Sequence, residues 1–331
     1  MSDVHGVILY SGGLDSILAA KLLMDQGIDL TGLYCILPFY PPDLNPEDLE
    51  SSKLARQIGL KLEYYRCDKD YIEMVKNPPH GYGKHINPCI DCKLFFMKKA
   101  AELMVKLNAD FVASGEVVGQ RPMSQLKHTL NHIEKSSGLK GRLLRPLSAK
   151  ILEPTIPEIE GKIDRSRLLD ISGRGRKRQM ELAEQYGITN YSHPAGGCLF
   201  TDRYFSLRLK DLFVHQDAVS PTDIYLLTVG RHFRINESLK IIVSRDENES
   251  RELEKLSGIA DCFIRPEFKG PSVFAKGVVN SNDLELINSI ISRYGKVAED
   301  ERRLTVISKN NISVIKAAQP ADDKIIESLR I

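Results

Sequence analysis

The chain is 331 residues long, 42% hydrophobic and 27% charged with a formal net charge of +2, enough to give a core to one sizeable α/β domain and to a smaller second one. No apolar run reaches the roughly 18 residues of a helical membrane span, and Met1-Ser2-Asp3 leads into an apolar segment without the basic flank and cleavage site of an export signal, so a cytoplasmic protein without a membrane partner is expected. Six unevenly spaced cysteines do not make the dense framework of a secreted scaffold and read as thiols.

Val7 to Tyr10 reads as a strand running into Ser-Gly-Gly, and Asp15 to Met24 has helical periodicity. Leu30 to Leu37 is a second strand. A Pro-rich loop, a helix from Pro46 to Ile58 and a strand from Lys61 to Tyr65 follow. After a loop with Pro78, Pro79, Gly81 and Gly83 come a helix from Cys92 to Leu107 and a buried strand, Phe111 to Ala113, ending at Ser114-Gly115. This alternation predicts a doubly wound parallel sheet. The rhythm changes beyond Gly187, with a helix-like stretch from Tyr204 to Phe213. Strands are expected at Ile224 to Ile235, Leu239 to Ser244, Cys262 to Arg265, Ser272 to Lys276 and Leu304 to Ala317, and helices at Ser250 to Ser257 and Asn282 to Tyr294. The expected division is an α/β domain over 1–210 and a smaller α+β domain over 211–331.

Ser11-Gly12-Gly13-Leu14-Asp15-Ser16 lies between the first strand and the first helix, where glycines let backbone approach an anion and the helix N-terminus presents unpaired N–H groups. It has neither the Walker nor the dinucleotide spacing. The motif resembles the Ser-Gly-Gly-x-Asp-Ser signature of PP-loop ATP pyrophosphatases, which have a HUP-type fold. The resemblance implies cleavage of ATP between its α and β phosphates. It assigns Ser11, Gly12, Gly13 and Ser16 to the phosphates and Asp15 to Mg²⁺ and the reacting phosphates.

Asn87-Pro88-Cys89-Ile90-Asp91-Cys92 sets a Cys-x-x-Cys at a loop-to-helix junction, where the helix dipole favours thiolates. Cys198 follows Gly196-Gly197, which permit a tight turn. With the phosphate loop, these pieces resemble tRNA thiolases: Asn-Pro-Cys-x-x-Cys occurs in 2-thiouridylases and a distal Gly-x-Cys in 2- and 4-thiouridine enzymes. Ser114-Gly115-Glu116, Gly119-Gln120 and Ser124-Gln125 look like the Gly-Glu…Gly-Gln…Ser-Gln segment of 4-thiouridine synthetases, which places Ser114 and Gly115 among the cofactor-binding residues. The resemblance implies a tRNA sulfurtransferase forming AMP and pyrophosphate, with 4-thiouridine at tRNA position 8 favoured as product. Sulfur would come from sulfide or a persulfide-carrying protein. Cys89, Cys92 and Cys198 would hold a 4Fe-4S cluster with one open iron, which three thiols suit. In the alternative, a 2-thiouridylase, Cys198 carries a persulfide that a Cys-x-x-Cys thiol resolves. A zinc site completed by His85 or His193 is a further option, and Cys35, Cys67 and Cys262 read as packing residues. Rival functions are a PP-loop amide- or nitrile-forming ligase and a nucleotide or Fe-S sensor without catalysis.

From Arg121 to Met180 there are 14 Lys/Arg against 6 Asp/Glu, so this segment carries +8 and the rest −6, an asymmetry that suggests a basic face. Arg174, Arg176, Lys177 and Arg178 are its densest cluster and are expected to meet phosphate, on RNA or ATP. Arg265 to Ser272 looks like part of a small RNA-binding fold of NFACT-type proteins. The C-terminal domain is therefore expected to bind tRNA, with homodimerisation as its alternative role.

Overall fold

The computed structural model describes residues 4–189, 191, 198–295, 303–308 and 311–331. They form two compact units, Met1–Thr201 and Asp202–Ile331.

In the first unit, strands His5–Leu9 (β1), Asp29–Ile36 (β2), Lys61–Arg66 (β3), Phe111–Ser114 (β4) and Leu143–Leu144 (β5) form a parallel sheet of order β3-β2-β1-β4-β5. Helices Leu14–Met24 (α1), Glu50–Gln57 (α2), Lys69–Lys76 (α3), Cys89–Lys106 (α4), Lys127–Ser136 (α5), Ile156–Ile159 (α6) and Lys177–Gln185 (α7) complete the unit. Neighbouring residues of β1 face opposite sides of the sheet. Ile8 packs in a core with Leu14, Leu18 and Phe111, and Val7 in another with Leu33, Met97 and Val112. Both faces of β1 are therefore buried, which is why it reads as an apolar run rather than as an alternating one. The chain places β2 and β3 on one side of β1, then β4 and β5 on the other. The strand order thus reverses between β1 and β4, and the crevice beyond the carboxyl ends of those two strands is where ligands of such sheets lie.

The second unit contains Arg203–His215 (α8), Pro221–Leu226 (α9), Arg231–Asn236 (β6), Leu239–Val243 (β7), Glu247–Lys255 (α10), Cys262–Pro266 (β8), Val273–Lys276 (β9), Ser281–Tyr294 (α11), Arg303–Ser308 (β10), Asn311–Lys316 (β11) and Asp323–Leu329 (α12). Its antiparallel sheet has the order β11-β10-β8-β9-β7-β6. Ile287, Ile290 and Ile291 of α11 share a core with Phe233, Ile241 and Ile264.

The parallel sheet and the smaller α+β unit agree with the expected fold class. The units divide at 201/202 rather than 210/211, because α8, which spans the expected boundary, belongs wholly to the second. Two expected strands are corrected. Ile224 to Ile235 divides into α9 and β6, since Ser220 and Asp223 form a capping box with Pro221 in the first turn. Leu304 to Ala317 is not one strand but the antiparallel pair β10 and β11.

Candidate functional site

Gly13 is the N-cap of α1 and makes no side-chain cap, so the first amides of the helix are left for another acceptor. The loop before it is held by its own serines. Ser16 Oγ donates to the Gly13 carbonyl at 2.8 Å, and Ser11 N lies 3.3 Å from Ser16 Oγ. Gly12 has φ +72°, and a Cβ there would lie 2.3 Å from Ser51 Cβ. Gly115, just past β4, is hemmed in by backbone rather than side chain: a Cβ would come within 2.5 Å of the Asp15 carbonyl carbon and 2.6 Å of Ser16 N. The register Leu9↔Ser114 sets this approach. Ser114 itself is buried, its hydroxyl donating to Glu116 Oε2 at 3.2 Å.

Asp15 collects partners far away in sequence. Gln120 Nε2 donates to Asp15 Oδ2 at 3.1 Å, and Arg176 Nη2 lies 3.7 Å from the same oxygen. Asp15 Oδ1, Gln120 Oε1 and Arg176 Nε are buried and have no hydrogen-bond partner. Buried polar atoms left bare in this way call for a ligand. Two are hard oxygen acceptors of the kind Mg²⁺ takes, and the third is a guanidinium donor suited to phosphate. The residues therefore fit a metal-bound polyphosphate. This placement divides the basic run: Arg176 turns to the loop, Arg178 pairs with Asp170 at 2.7 Å, Lys177 lies 3.8 Å from Glu181, and Arg174 is exposed.

Glu116 is buried between two cations, Lys93 Nζ at 3.0 Å and Arg145 Nε at 3.2 Å. Burial pushes its carboxyl up, but the charges of and hydrogen bonds from Lys93 and Arg145 outweigh that and hold it below the usual range. Lys93 follows Cys92 on α4, so this buried ion pair ties the thiol-bearing helix to the end of β4.

Cys89 and Cys92 occupy the first turn of α4, a turn closed by Cys92 N donating to the Pro88 carbonyl at 2.8 Å. Cys198 is exposed, and its segment meets the loop before α4 where Ile86 N donates to the Phe200 carbonyl at 3.3 Å and Phe200 packs edge-on to Phe39. The three thiols are near enough to act on one another. Burial first, then the Cys198 and Cys89 sulfurs, push Cys92 up to about 12, against a hydrogen bond with Tyr71 (Oη to Sγ 3.3 Å) and the Lys93 charge. Burial and Cys89 raise Cys198, against a backbone hydrogen bond from Phe200 and the Arg121 charge. The surroundings also include two thiols read from sequence as packing. Burial and then Cys92 push Cys35 up to about 12, and Cys67, buried beside both, is raised as well. Cys35 lies in β2 and Cys67 directly follows β3, so no local signal marked them as neighbours of Cys92.

Three thiols have the donor chemistry of a cluster with one open iron. Among the described residues, however, no three His, Cys, Asp or Glu side chains are arranged to hold a metal ion. Gly196, Gly197 and His193 lie outside the described residues. His85 is exposed with φ +58°. Sequence reasoning also missed a chain of groups at α4: His80 Nδ1 lies 2.7 Å from Asp91 Oδ1, and His132 Nε2 lies 2.9 Å from His80 Nε2. Asp91, inside the Cys-x-x-Cys, is buried and also accepts from His80 N. Among the described residues no helix is long and apolar enough to cross a membrane.

Residues 5–138 match the family described as tRNA methyl transferase HUP domain, and residues 230–329 match the NFACT protein RNA binding domain. The tRNA-specific 2-thiouridylase MnmA of Sulfurimonas denitrificans is 30% identical over 112 residues, 33% of each chain. The enzyme of the same name from Bacillus subtilis is 26% identical over 255 residues, 70% of this chain and 61% of the relative. The chain thus spans from about a third to three-fifths of the length of these curated relatives. Among solved structures, the U34-tRNA thiolase NcsA of Methanococcus maripaludis with its [4Fe-4S] cluster is 16% identical, covering 69% of this chain and 71% of that one, at a TM-score of 0.36. That likeness is too low to bear on the site.

Proposed function

We propose that this chain is an ATP-using tRNA thiolase, which adenylates a uridine carbonyl oxygen and replaces it with sulfur at Cys89, Cys92 and Cys198. One observation carries the reading: a single compact unit holds both a phosphate loop ringed by the unpartnered atoms of Asp15, Gln120 and Arg176 and the three cysteines, two of them in the first turn of α4. The matched families and the curated relatives support tRNA as the substrate class.

The uridine oxygen attacks the α-phosphorus of ATP, and the bond to the β-phosphate oxygen breaks, releasing pyrophosphate. A sulfur nucleophile then adds to the activated ring carbon, and AMP leaves with the original oxygen. The α1 amides, Ser11 and Ser16 bind the phosphates, while Arg176 meets the charge that builds on them. Asp15 and Gln120 would hold Mg²⁺, which when bound offsets the charge of the phosphates. In the favoured reading Cys89, Cys92 and Cys198 would hold a 4Fe-4S cluster, which when bound would supply sulfide as the nucleophile. The exposure of Cys198 favours the other: a Cys198 persulfide attacks with its outer sulfur, AMP departs, and Cys89 or Cys92 attacks Cys198 Sγ, which releases the thiouridine and leaves a disulfide for a cellular thiol to reduce. The product is proposed to be 4-thiouridine at position 8, on the Gly-Glu…Gly-Gln…Ser-Gln segment. The 2-thiouridylase relatives make C2 the alternative.

Anaerobically purified protein, assayed with unmodified tRNA, ATP and sulfide, should release pyrophosphate only with tRNA and yield a thiouridine identified by nucleoside mass spectrometry. Asp15→Asn should slow pyrophosphate release by roughly 10²-fold. Cys198→Ala should abolish thiolation and keep ATP binding. Pyrophosphate release that needs a small amine or acid and ignores tRNA would turn the assignment to a ligase, and ATP binding without release to a sensor. About four irons per chain, lost in Cys198→Ala, would select the cluster; iron-free protein that thiolates once a persulfide-carrying protein replaces sulfide as donor would select the persulfide.

A further inference from the structure

The second unit contains a cavity of about 310 Å³ on one face of its antiparallel sheet, beneath α8 and α9. The register places Arg234 opposite Lys240 and Lys240 opposite Lys276, so three cations stand side by side across β6, β7 and β9 on the wall of the cavity. Like charges directly opposite in a sheet repel. One carboxylate, Asp211, serves the buried end of the row. It accepts from Arg234 Nε and Nη2 at 2.9 and 2.7 Å and lies 3.0 Å from Lys240 Nζ. Lys240 is 8% exposed, and its Nζ is outside hydrogen-bond geometry with any partner. Lys276 is exposed and donates to the Ile259 carbonyl at 3.2 Å. The acidic side chains of the wall are engaged or peripheral. Asp223 caps α9, Asp261 accepts from Gly277 N, and Glu237 is exposed at the β6–β7 turn.

The next row along the same face is His232, Ile242 and Phe274. His232 is wholly buried, with Nε2 on the Val229 carbonyl at 2.9 Å and Nδ1 without a partner. The face thus offers a cationic row beside an apolar one with a single bare imidazole nitrogen. A bare inorganic anion would fill only a corner of the cavity, whereas an anion attached to a ring would use both rows.

The geometry points to a binding site for a nucleoside phosphate: the Arg234–Lys240–Lys276 row takes the phosphate, and the Ile242–Phe274 row takes the base and sugar. Residues 232–276 fall within the match to an RNA-binding family, so the ligand is either a free nucleotide or one nucleotide of an RNA strand turned into the cavity. The inference rests on the RNA-binding part of the proposed function and is independent of thiolation.

Binding of uridine, inorganic phosphate, uridine 5′-monophosphate and a short oligouridylate to the full chain is measured by titration calorimetry at fixed ionic strength. The monophosphate should bind at least tenfold more tightly than uridine or phosphate alone. Lys276→Glu, at an exposed position, and Lys240→Met should each weaken it about tenfold and leave ATP affinity at the phosphate loop unchanged. Displacement of the monophosphate by oligouridylate, with the same sensitivity to both substitutions, assigns the site to RNA. Oligouridylate binding that ignores both substitutions assigns it to the free nucleotide. Equal affinity for uridine and its monophosphate, or unchanged monophosphate binding by Lys276→Glu, overturns the inference, while loss of thiolation with this pattern intact counts only against the thiolase reading.

Discussion

Replacing Glu116 by Gln removes the one carboxylate that holds both Lys93 and Arg145 at the junction of β4 and α4. Glu116 is 3% exposed and so is Arg145, so nothing but protein answers the charge. Arg145 keeps Glu134 Oε2 at 3.1 Å and the Leu130 carbonyl at 3.1 Å. Lys93 loses the carboxylate it pairs with, and one side of the new amide presents N–H donors to a cation. Breaking one partner of a buried pair costs about 3–5 kcal/mol; the remaining contacts of Arg145 set the lower end, so a loss of about 3 kcal/mol is expected. The chain has no tryptophan, so urea unfolding is followed by tyrosine fluorescence and far-UV circular dichroism. The transition of the first unit is fitted by itself, since two compact units need not unfold together. Because the folded carboxyl lies below its unfolded value of 4.5, the stabilisation it provides is complete above that pH and disappears as pH falls through the folded value. The difference between wild type and variant should therefore shrink below about pH 4.5. A loss under about 1 kcal/mol at pH 7, the size of an exposed pair, or a difference that does not change with acid, would refute the reasoning.

Gly115→Ala should weaken ATP binding at least tenfold and lower stability by about 1–3 kcal/mol, because the new methyl meets Asp15 backbone at 2.5 Å rather than a side chain that can move; calorimetry with ATP and urea unfolding check this, and unchanged affinity would separate Gly115 from the loop. Under brief native alkylation at pH 8, mass spectrometry should find Cys198 modified first and Cys35 and Cys67 only after unfolding, since Cys35 is pushed up to about 12 and Cys67 is buried. Labelling of Cys67 at the rate of Cys198 would contradict that packing. His232, wholly buried, is held well below its usual range, first by burial and then by Lys240 and Arg208. The unfolded chain therefore binds the extra proton, and the second unit should keep full stability above about pH 6.5 and lose it as pH falls. His232→Gln should flatten that slope, and an equal slope in the variant would place the titration elsewhere.

The features legible in the sequence are those that local spacing encodes. The phosphate loop needs one strand, two glycines and a helix start in succession, and the Cys-x-x-Cys needs one turn of α4, so both were readable from a few neighbouring residues. The Ser220-Pro221-x-Asp223 start of α9 was equally local, yet the β-branched and apolar residues that follow read as strand, and the capping signal should have outweighed them. Arg174, Arg176, Lys177 and Arg178 were read together as meeting phosphate, but which of them turns to the loop was not legible: only the packing at the start of α7 brings Arg176 to Asp15, 161 residues earlier. Cys35 and Cys67 pack as read, and what the sequence left out is that both also bear on Cys92, since burial alone fits either position. The Arg234–Lys240–Lys276 row lies further from the sequence still, since it exists only once two antiparallel registers are set, and shifting either strand by one residue would send its cation to the opposite face. Chain-local chemistry is therefore readable where one turn or loop holds it, while Arg176 at Asp15 and the Arg234–Lys240–Lys276 row come from pairings that no linear motif contains.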